Sequence, residues 1–342
     1  MLDDIKAARS SVKFEQYIFT DLKEGSIGKK FIETFKEKAR EGIKVKVLLD
    51  ALGSHFLALS DELPEMNKAG VEVMFHTASS HKLRNFYLFK SFFRDHRKLM
   101  IIDGHIAHIG GGIVQDKAKD WGELNVRFID QEVVKNLEHA FDLAWENLKE
   151  GSFVVAKPAT DSDGFEVSGS GPAPSEHYIL KSWKEALRGA KKYIRIATPY
   201  FVPTHDLLRE MIRATKRGVG LEIILPESID NIFAKFASYD YYAGLMKKGV
   251  NIKLYKGYNH AKAIVVDGMW CSVGSTNTDR MSLVHNYELN VSSTDKDFIK
   301  DIENCFEIYL SNSYVLTPDI WKNRPLVTKI LEKLSFAVRP WA

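Results

Sequence analysis

HRKLMIIDG (His96–Gly104) and HAKAIVVDG (His260–Gly268) are two versions of one pattern, and reading them side by side decides the fold. Working outward, three more pairs line up in the same order. ARSSVKFEQYIF (from Ala8) parallels AKKYIRIATPYF (from Ala190). EGIKVKVLLDALGS (from Glu41) parallels RGVGLEIILPESID (from Arg217), and AGVEVMFH (from Ala69) parallels KGVNIKLY (from Lys248). The spacing between partners drifts only by loop-sized amounts. The chain is therefore two copies of one unit, the kind of internal repeat that sets the architecture.

Each copy alternates strand and helix signals. VKFEQYIF and KVKVLL read as strands, and residues 28–40 read as an amphipathic helix ending before Gly42. Strands separated by helices predict an α/β sandwich in each copy. The stretch Gly151–Tyr178 is rich in Gly, Ser, Pro and Asp, which places the boundary there and gives domains 1–150 and 151–342. FEVSGSGP lies upstream of the first helix of the second copy, whereas the first copy begins almost inside a helix. The first copy is thus expected to lack its first strand, as a truncation would leave it.

Composition narrows the function classes. With 342 residues, 45% hydrophobic and 27% charged, the chain has the balance of a globular protein large enough to bury a core without staples. A formal charge of +3 is too weak to argue for nucleic acid and compatible with an anionic surface or a small anionic substrate. The two cysteines, Cys271 and Cys305, form neither a CxxC nor a Cys/His cluster, which argues against a disulfide scaffold and a thiolate zinc site and fits a reducing compartment. No apolar run reaches 18 residues, so any membrane role of this chain is expected to be peripheral.

The duplicated pattern is His-x-Lys-x4-Asp: His96, Lys98 and Asp103, then His260, Lys262 and Asp267. Each His and Lys introduces an apolar run that reads as a strand, where residues two apart share a face and can enter one pocket. Gly274-Ser275-Thr276-Asn277 follows the second motif. Glu123 and Glu288 follow their histidines at nearly equal distances. An imidazole that acts as nucleophile or acid needs one nitrogen held so that the other faces the substrate, and these glutamates suit that job. Surface placement of both carboxylates is the competing reading.

These residues resemble the phospholipase D superfamily, marked by a duplicated HxKxxxxD followed by GSxN. EQYIF, TPYFVP (Thr198–Pro203), RDHRK, GSTNTDRMS and WKNRPLVTKILEKLSF are similar to bacterial cardiolipin synthases, over essentially the whole chain. The resemblance implies two tandem phospholipase D-like domains related by a pseudo-twofold axis, a C-terminal helical tail, and one active site at their interface. It implies catalytic roles for His96, Lys98, Asp103, Glu123, His260, Lys262, Asp267 and Glu288. One His forms a phosphohistidine and the other protonates the leaving alcohol. Ser275 and Asn277 would bind the substrate phosphate, Asp103 and Asp267 would brace loops or basic side chains, and no metal or other cofactor is required. One departure stands out: Gly110-Gly111-Gly112-Ile113 replaces GSxN in the first copy, so Gly111 and Ile113 stand where Ser and Asn are expected.

The implied substrate is phosphatidylglycerol, on the cytoplasmic face of a bacterial membrane. Relatives usually carry N-terminal membrane helices that this chain lacks, and no nucleic acid or obligate protein partner is expected. HKLRNFYLFKSFFRDHRK (His81–Lys98) interleaves six basic residues with five aromatics, which suits an anionic bilayer, single-stranded nucleic acid or a core with a solvated edge. A phospholipid hydrolase, a transfer to another alcohol and a nucleic-acid phosphodiesterase are the alternative activities.

Overall fold

The computed structural model describes residues 1–76 and 93–324, which leaves most of the His81–Lys98 segment and the C-terminal tail beyond Arg324 outside the described residues. Six strands form the first sheet: β1 (Ser11–Gln16), β2 (Lys44–Asp50), β3 (Glu72–His76), β4 (Leu99–Ile102), β5 (Ile106–Gly110) and β6 (Asn125–Phe128). Their order is β3-β2-β1-β4-β5-β6. The second sheet takes β7 (Ala159–Thr160), β8 (Phe165–Ser170), β9 (Tyr193–Ala197), β11 (Gly220–Pro226), β12 (Asn251–Tyr255), β13 (Ala263–Val266), β14 (Trp270–Gly274), β16 (Glu288–Ser293) and β17 (Ser313–Val315), while β10 (Phe201–Val202) and β15 (Thr278–Asp279) pair separately. Its order, β17-β12-β11-β9-β13-β14-β16-β8-β7, contains the first sheet's order strand for strand. It then continues past β16, the counterpart of β6, into β8 and β7, where the first sheet ends.

Local sequence explains the elements. Ser26 caps the helix Ile27–Arg40 by accepting from Lys29 N, and Phe31, Ile32 and Phe35 on one face are buried against the first sheet. The helix Gln131–Glu150 starts at Asp130, which accepts from Glu132 N and Val133 N, and stops at Gly151 in the left-handed region. Val133, Leu137, Ala140, Phe141, Ala144 and Trp145 form its buried stripe. Truncating a large buried side chain such as Phe141 or Trp145 would cost about 3–5 kcal/mol.

That stripe packs on Leu99, Ile101, Ala107 and Ile109 of the first sheet, and the same core includes Val167, Leu289 and Val291 of the second. The helix Lys296–Ser311 occupies the equivalent place in the second repeat, over Ala263, Val265, Cys271 and Val273, together with Leu124 from the first. Each repeat therefore completes the other's core.

Asp103-Gly104-His105 and Asp267-Gly268-Met269 connect the hairpins β4–β5 and β13–β14, and the Asp and Gly of each have positive φ. The Asp side chains are then free to accept backbone hydrogen bonds. Asp103 takes Arg9 N, Ser10 N and Ser11 N at 2.7–2.9 Å, at the start of β1. Asp267 takes Lys191 N, Lys192 N and Tyr193 N at 2.7–2.8 Å, at the start of β9. The two aspartates anchor backbone, not basic side chains. They belong to the hairpin ends, away from the histidines, and this corrects the catalytic role given to Asp103 and Asp267.

Candidate active site

The segments just before the two His-Lys strands leave their own sheets and bridge to the other repeat. His96 N donates to Tyr287 O at 2.9 Å, and Tyr287 N donates to Arg94 O at 2.9 Å. In mirror fashion, Gly122 N donates to Tyr258 O at 2.9 Å and His260 N donates to Gly122 O at 2.6 Å. Each histidine is thus zipped to the residues immediately preceding the glutamate of the opposite copy.

The side chains follow the backbone. His96 Nδ1 lies 2.9 and 3.1 Å from the two carboxylate oxygens of Glu288, and His260 Nδ1 lies 2.8 Å from Glu123 Oε2. Every His–Glu pair spans the two repeats, so neither repeat holds an oriented imidazole alone. With Nδ1 occupied, Nε2 is the nitrogen left for chemistry. Tyr17 packs edge-on against His96, whereas His260 lies parallel to Tyr258 and near Trp121.

Lys98 and Lys262 sit two residues beyond each histidine and are buried, each Nζ donating to the carbonyl of its own His at 2.7 Å. Burial, reinforced by repulsion from Lys262, lowers the Lys98 ammonium to about 7. Burial lowers Lys262 to about 8, opposed by the negative charge of Glu123. Burial also drives His96 well below the usual imidazole range, helped by the positive charges of Lys98 and Lys262. His260 is lowered for the same reasons, with Glu123 pulling the other way. Glu288 is raised to about 7 by burial. Two lysines poised near neutrality over two uncharged imidazoles form a site that gains protons when an anion enters.

Of the two residues expected to hold phosphate, Asn277 lines the cavity in front of the histidines and Ser275 does not. Ser275 is fully buried, donates its hydroxyl to Glu288 Oε2 and accepts from Leu289 N at 3.0 Å. This corrects Ser275 from a phosphate ligand to a brace for the His96 partner. The glycine at the equivalent position has an equally physical cause. A Cβ on Gly111 would stand 2.3 Å from Glu123 Oε1 and 2.8 Å from the His260 carbonyl oxygen. Glu123 accepts from its own repeat through Leu124 N instead, at 2.9 Å.

The cavity encloses about 800 Å³ and is lined by residues of both repeats, among them Tyr17, Arg94, His96, Ile113, Tyr200, Asp230, His260, Asn277 and Asp279. Tyr17, Arg94, Tyr200, Asp230 and Asp279 were not anticipated from the sequence. The repeat comparison could have found Tyr200 and Arg94, because both flank quoted motifs and both break the pseudo-symmetry. Asp230 and Asp279 also lie in quoted stretches, RGVGLEIILPESID and GSTNTDRMS, but nothing in their spacing points them at the cavity. Among the described residues, no helix is long and apolar enough to cross a membrane.

Comparison with known proteins agrees with this geometry. A family model described as cardiolipin synthase, phospholipase D-like domain, matches residues 1–145 and 183–310. The chain is 31% identical to cardiolipin synthase 1 of Staphylococcus epidermidis over 355 aligned positions, covering 99% of this chain and 71% of that one. It is 30% identical to the cardiolipin synthase of Clostridium perfringens, covering 99% and 74%. A solved phosphatidylserine synthase from Haemophilus influenzae shares the fold, with a TM-score of 0.70 at 12% identity over 97% of this chain and 88% of that one. Two histidine–lysine strands answering each other across a repeat, in a chain so matched along its length, make it a member of the phospholipase D-like cardiolipin synthase family.

Proposed function

We propose that the chain transfers a phosphatidyl group from one phosphatidylglycerol to a second, forming cardiolipin and releasing glycerol. The observation that carries this reading is the pair of cross-repeat His–Glu contacts facing one cavity over two buried lysines. It supplies a nucleophile, an acid and a cationic floor for a phosphodiester in one place. Residues 1–150 and 151–342 are its two halves, and neither has a complete site.

In the first step, Nε2 of neutral His96 attacks phosphorus. The bond from phosphorus to the glycerol oxygen breaks, and His260, charged by a proton taken up as the anionic phosphate enters, gives that oxygen its Nε2 proton. In the second step, His260 takes the proton from a hydroxyl of another phosphatidylglycerol. That oxygen attacks phosphorus, the P–N bond breaks, and His96 is restored. The assignment of roles follows the environments: burial lowers both imidazoles, but the charge and hydrogen bond of Glu123 oppose this at His260, which suits the acid and leaves the nucleophile to His96. Lys98 and Lys262 take up protons as the phosphate arrives and stabilise its non-bridging oxygens.

The substrate is a phospholipid, and the working place is an anionic membrane surface on the cytoplasmic side. Phe93 and Arg94 are the described end of the basic-aromatic segment, and Arg94 lines the cavity. Docking there should require anionic vesicles and weaken with added salt. Two carboxylates on the cavity wall, Asp230 and Asp279, oppose a polyanionic nucleic acid. Incubation with phosphatidylglycerol vesicles tests the reading. Cardiolipin plus glycerol is the expected outcome. Phosphatidic acid alone would assign a hydrolase instead.

A further inference from the structure

The two walls of the cavity are related by the repeat yet differ in chemistry. On the first-repeat wall stand Ile18, Ile113 and Arg94. Their sequence counterparts are Tyr200, Asn277 and Tyr258. Ile18, Ile113, Arg94, Tyr200 and Asn277 all line the cavity, so the pseudo-twofold sets apolar groups and one cation opposite hydrogen-bonding groups.

The second-repeat wall is rich in acceptors. Tyr200 OH donates to Asp230 Oδ1, and Tyr258 OH donates to the same oxygen at 2.9 Å. Two phenols thereby fix one carboxylate at the rim, where its other oxygen takes no donor from the described residues. Asn277 is 3% exposed. Its Oδ1 has no hydrogen-bond partner among the described residues. Asp279 lines the same wall, and burial raises its carboxyl to about 6.

We propose that this wall, built on Asp230 held by Tyr200 and Tyr258, is the subsite for a polyol headgroup: the free hydroxyls of glycerol donate to the Asp230 carboxylate. The inference rests on the phosphatidylglycerol reading above and goes further, by assigning the headgroup to the second repeat and the diacylglycerol arm to Ile18 and Ile113. Tyr258 links the subsite to chemistry, since it donates to Asp230 and lies parallel to His260 at 5.8 Å between ring centres. A glycerol held there places its departing oxygen beside His260 and opposite His96. Among the described residues, the wall that would meet the acyl-bearing arm presents Ile18 and Ile113.

The test compares two donors in mixed vesicles: phosphatidylglycerol, and phosphatidylpropanol, whose leaving alcohol lacks the extra hydroxyls. Asp230 is exposed at the rim, and Asp230→Asn keeps an acceptor for the Tyr200 and Tyr258 hydroxyls, so it separates the loss of charge from the release of the phenols that Asp230→Ala causes. Initial rates of glycerol and propanol release are measured for the unaltered enzyme, Asp230→Ala and Asp230→Asn. The subsite predicts that Asp230→Ala lowers kcat/KM for phosphatidylglycerol roughly tenfold or more, the scale of a hydrogen bond to a charged group. Phosphatidylpropanol should stay within about twofold, and Asp230→Asn, which keeps an acceptor, should recover part of the loss. An equal fall on both donors, or no change on either, overturns the subsite while the transferase reading stands. Release of neither alcohol by the unaltered enzyme overturns both.

Discussion

The loops after the two His-Lys hairpins, Gly110-Gly111-Gly112-Ile113 and Gly274-Ser275-Thr276-Asn277, occupy equivalent places and support the opposite histidines by different means. In the second repeat, Ser275 adds a hydroxyl to the carboxylate that holds His96. In the first, Gly111 withdraws its side chain so that the carboxylate holding His260 can fit against backbone. Both solutions keep a glutamate on an imidazole. What they teach is that the duplicated frame protects the four charged groups and lets everything around them diverge, which is how two identical histidines acquire unequal tasks.

The strongest way to break the comparison is to remove the histidines in turn. His96→Ala and His260→Ala should each lower turnover by roughly 10³-fold or more. They should differ when the donor carries a good leaving group that departs without a proton. His260→Ala then accumulates a phosphatidyl adduct on His96, and His96→Ala accumulates none. Mass spectrometry of the trapped protein decides it. An adduct mapped to His260 reverses the assignment, and an adduct on neither removes the covalent route.

Gly111→Ser makes the first loop resemble the second. With a Cβ colliding with Glu123 and the His260 carbonyl, it should pull the carboxylate off His260 and lower kcat about 10²-fold, the scale of misplacing a catalytic group by an ångström. A Gly111→Ser enzyme of normal activity would show that the close approach has no consequence. The reciprocal change is milder. Ser275→Ala removes one hydrogen bond to Glu288 and should cost about 1.5–3 kcal/mol of stability in denaturant melts. Without that donor the Glu288 carboxyl rises further above its present value of about 7. The acid limb of the rate profile should move up with it, and an unmoved limb contradicts the bracing role.

The smallest effect concerns the lysines that both repeats contribute. Lys98 has a folded pKa of about 7 against an ordinary 10.5. The unfolded chain holds more protons between those values, so the buried amine destabilises the fold fully below pH 7 and ceases to do so above about 10.5. Lys98→Met should therefore raise the melting temperature by roughly 5 °C near pH 6.5, with the gain shrinking toward pH 10. Thermal melts across that range check it. A gain that is constant with pH would mean that packing, not charge, is responsible.

Much of this could be read in the chain alone, for reasons tied to particular residues. The repeat was visible because β1, β2, β3 and β4 and their counterparts must carry the same apolar alternation to sit at the same place in a sheet. His96 with Lys98, and His260 with Lys262, were placed on one face because strand geometry leaves no other choice at a spacing of two. The aspartates five residues beyond each Lys sit in the hairpin turns, where their positive φ and backbone hydrogen bonds are properties that a motif does not display.

Local pattern, in short, settled the strands, the helices and the four groups of the His-Lys motifs, because period and spacing act within a few residues. Which glutamate meets which histidine, that Ser275 turns inward to a carboxylate, and that Asp230 is held by phenols of Tyr200 and Tyr258 were decided only by the folded molecule. All of those contacts join residues separated along the chain, and the His–Glu pairs lie on different repeats. They form because the shared core of Leu99, Ile101, Leu289 and Val291 draws the two sheets together, and no spacing along one copy encodes where the other will come to rest.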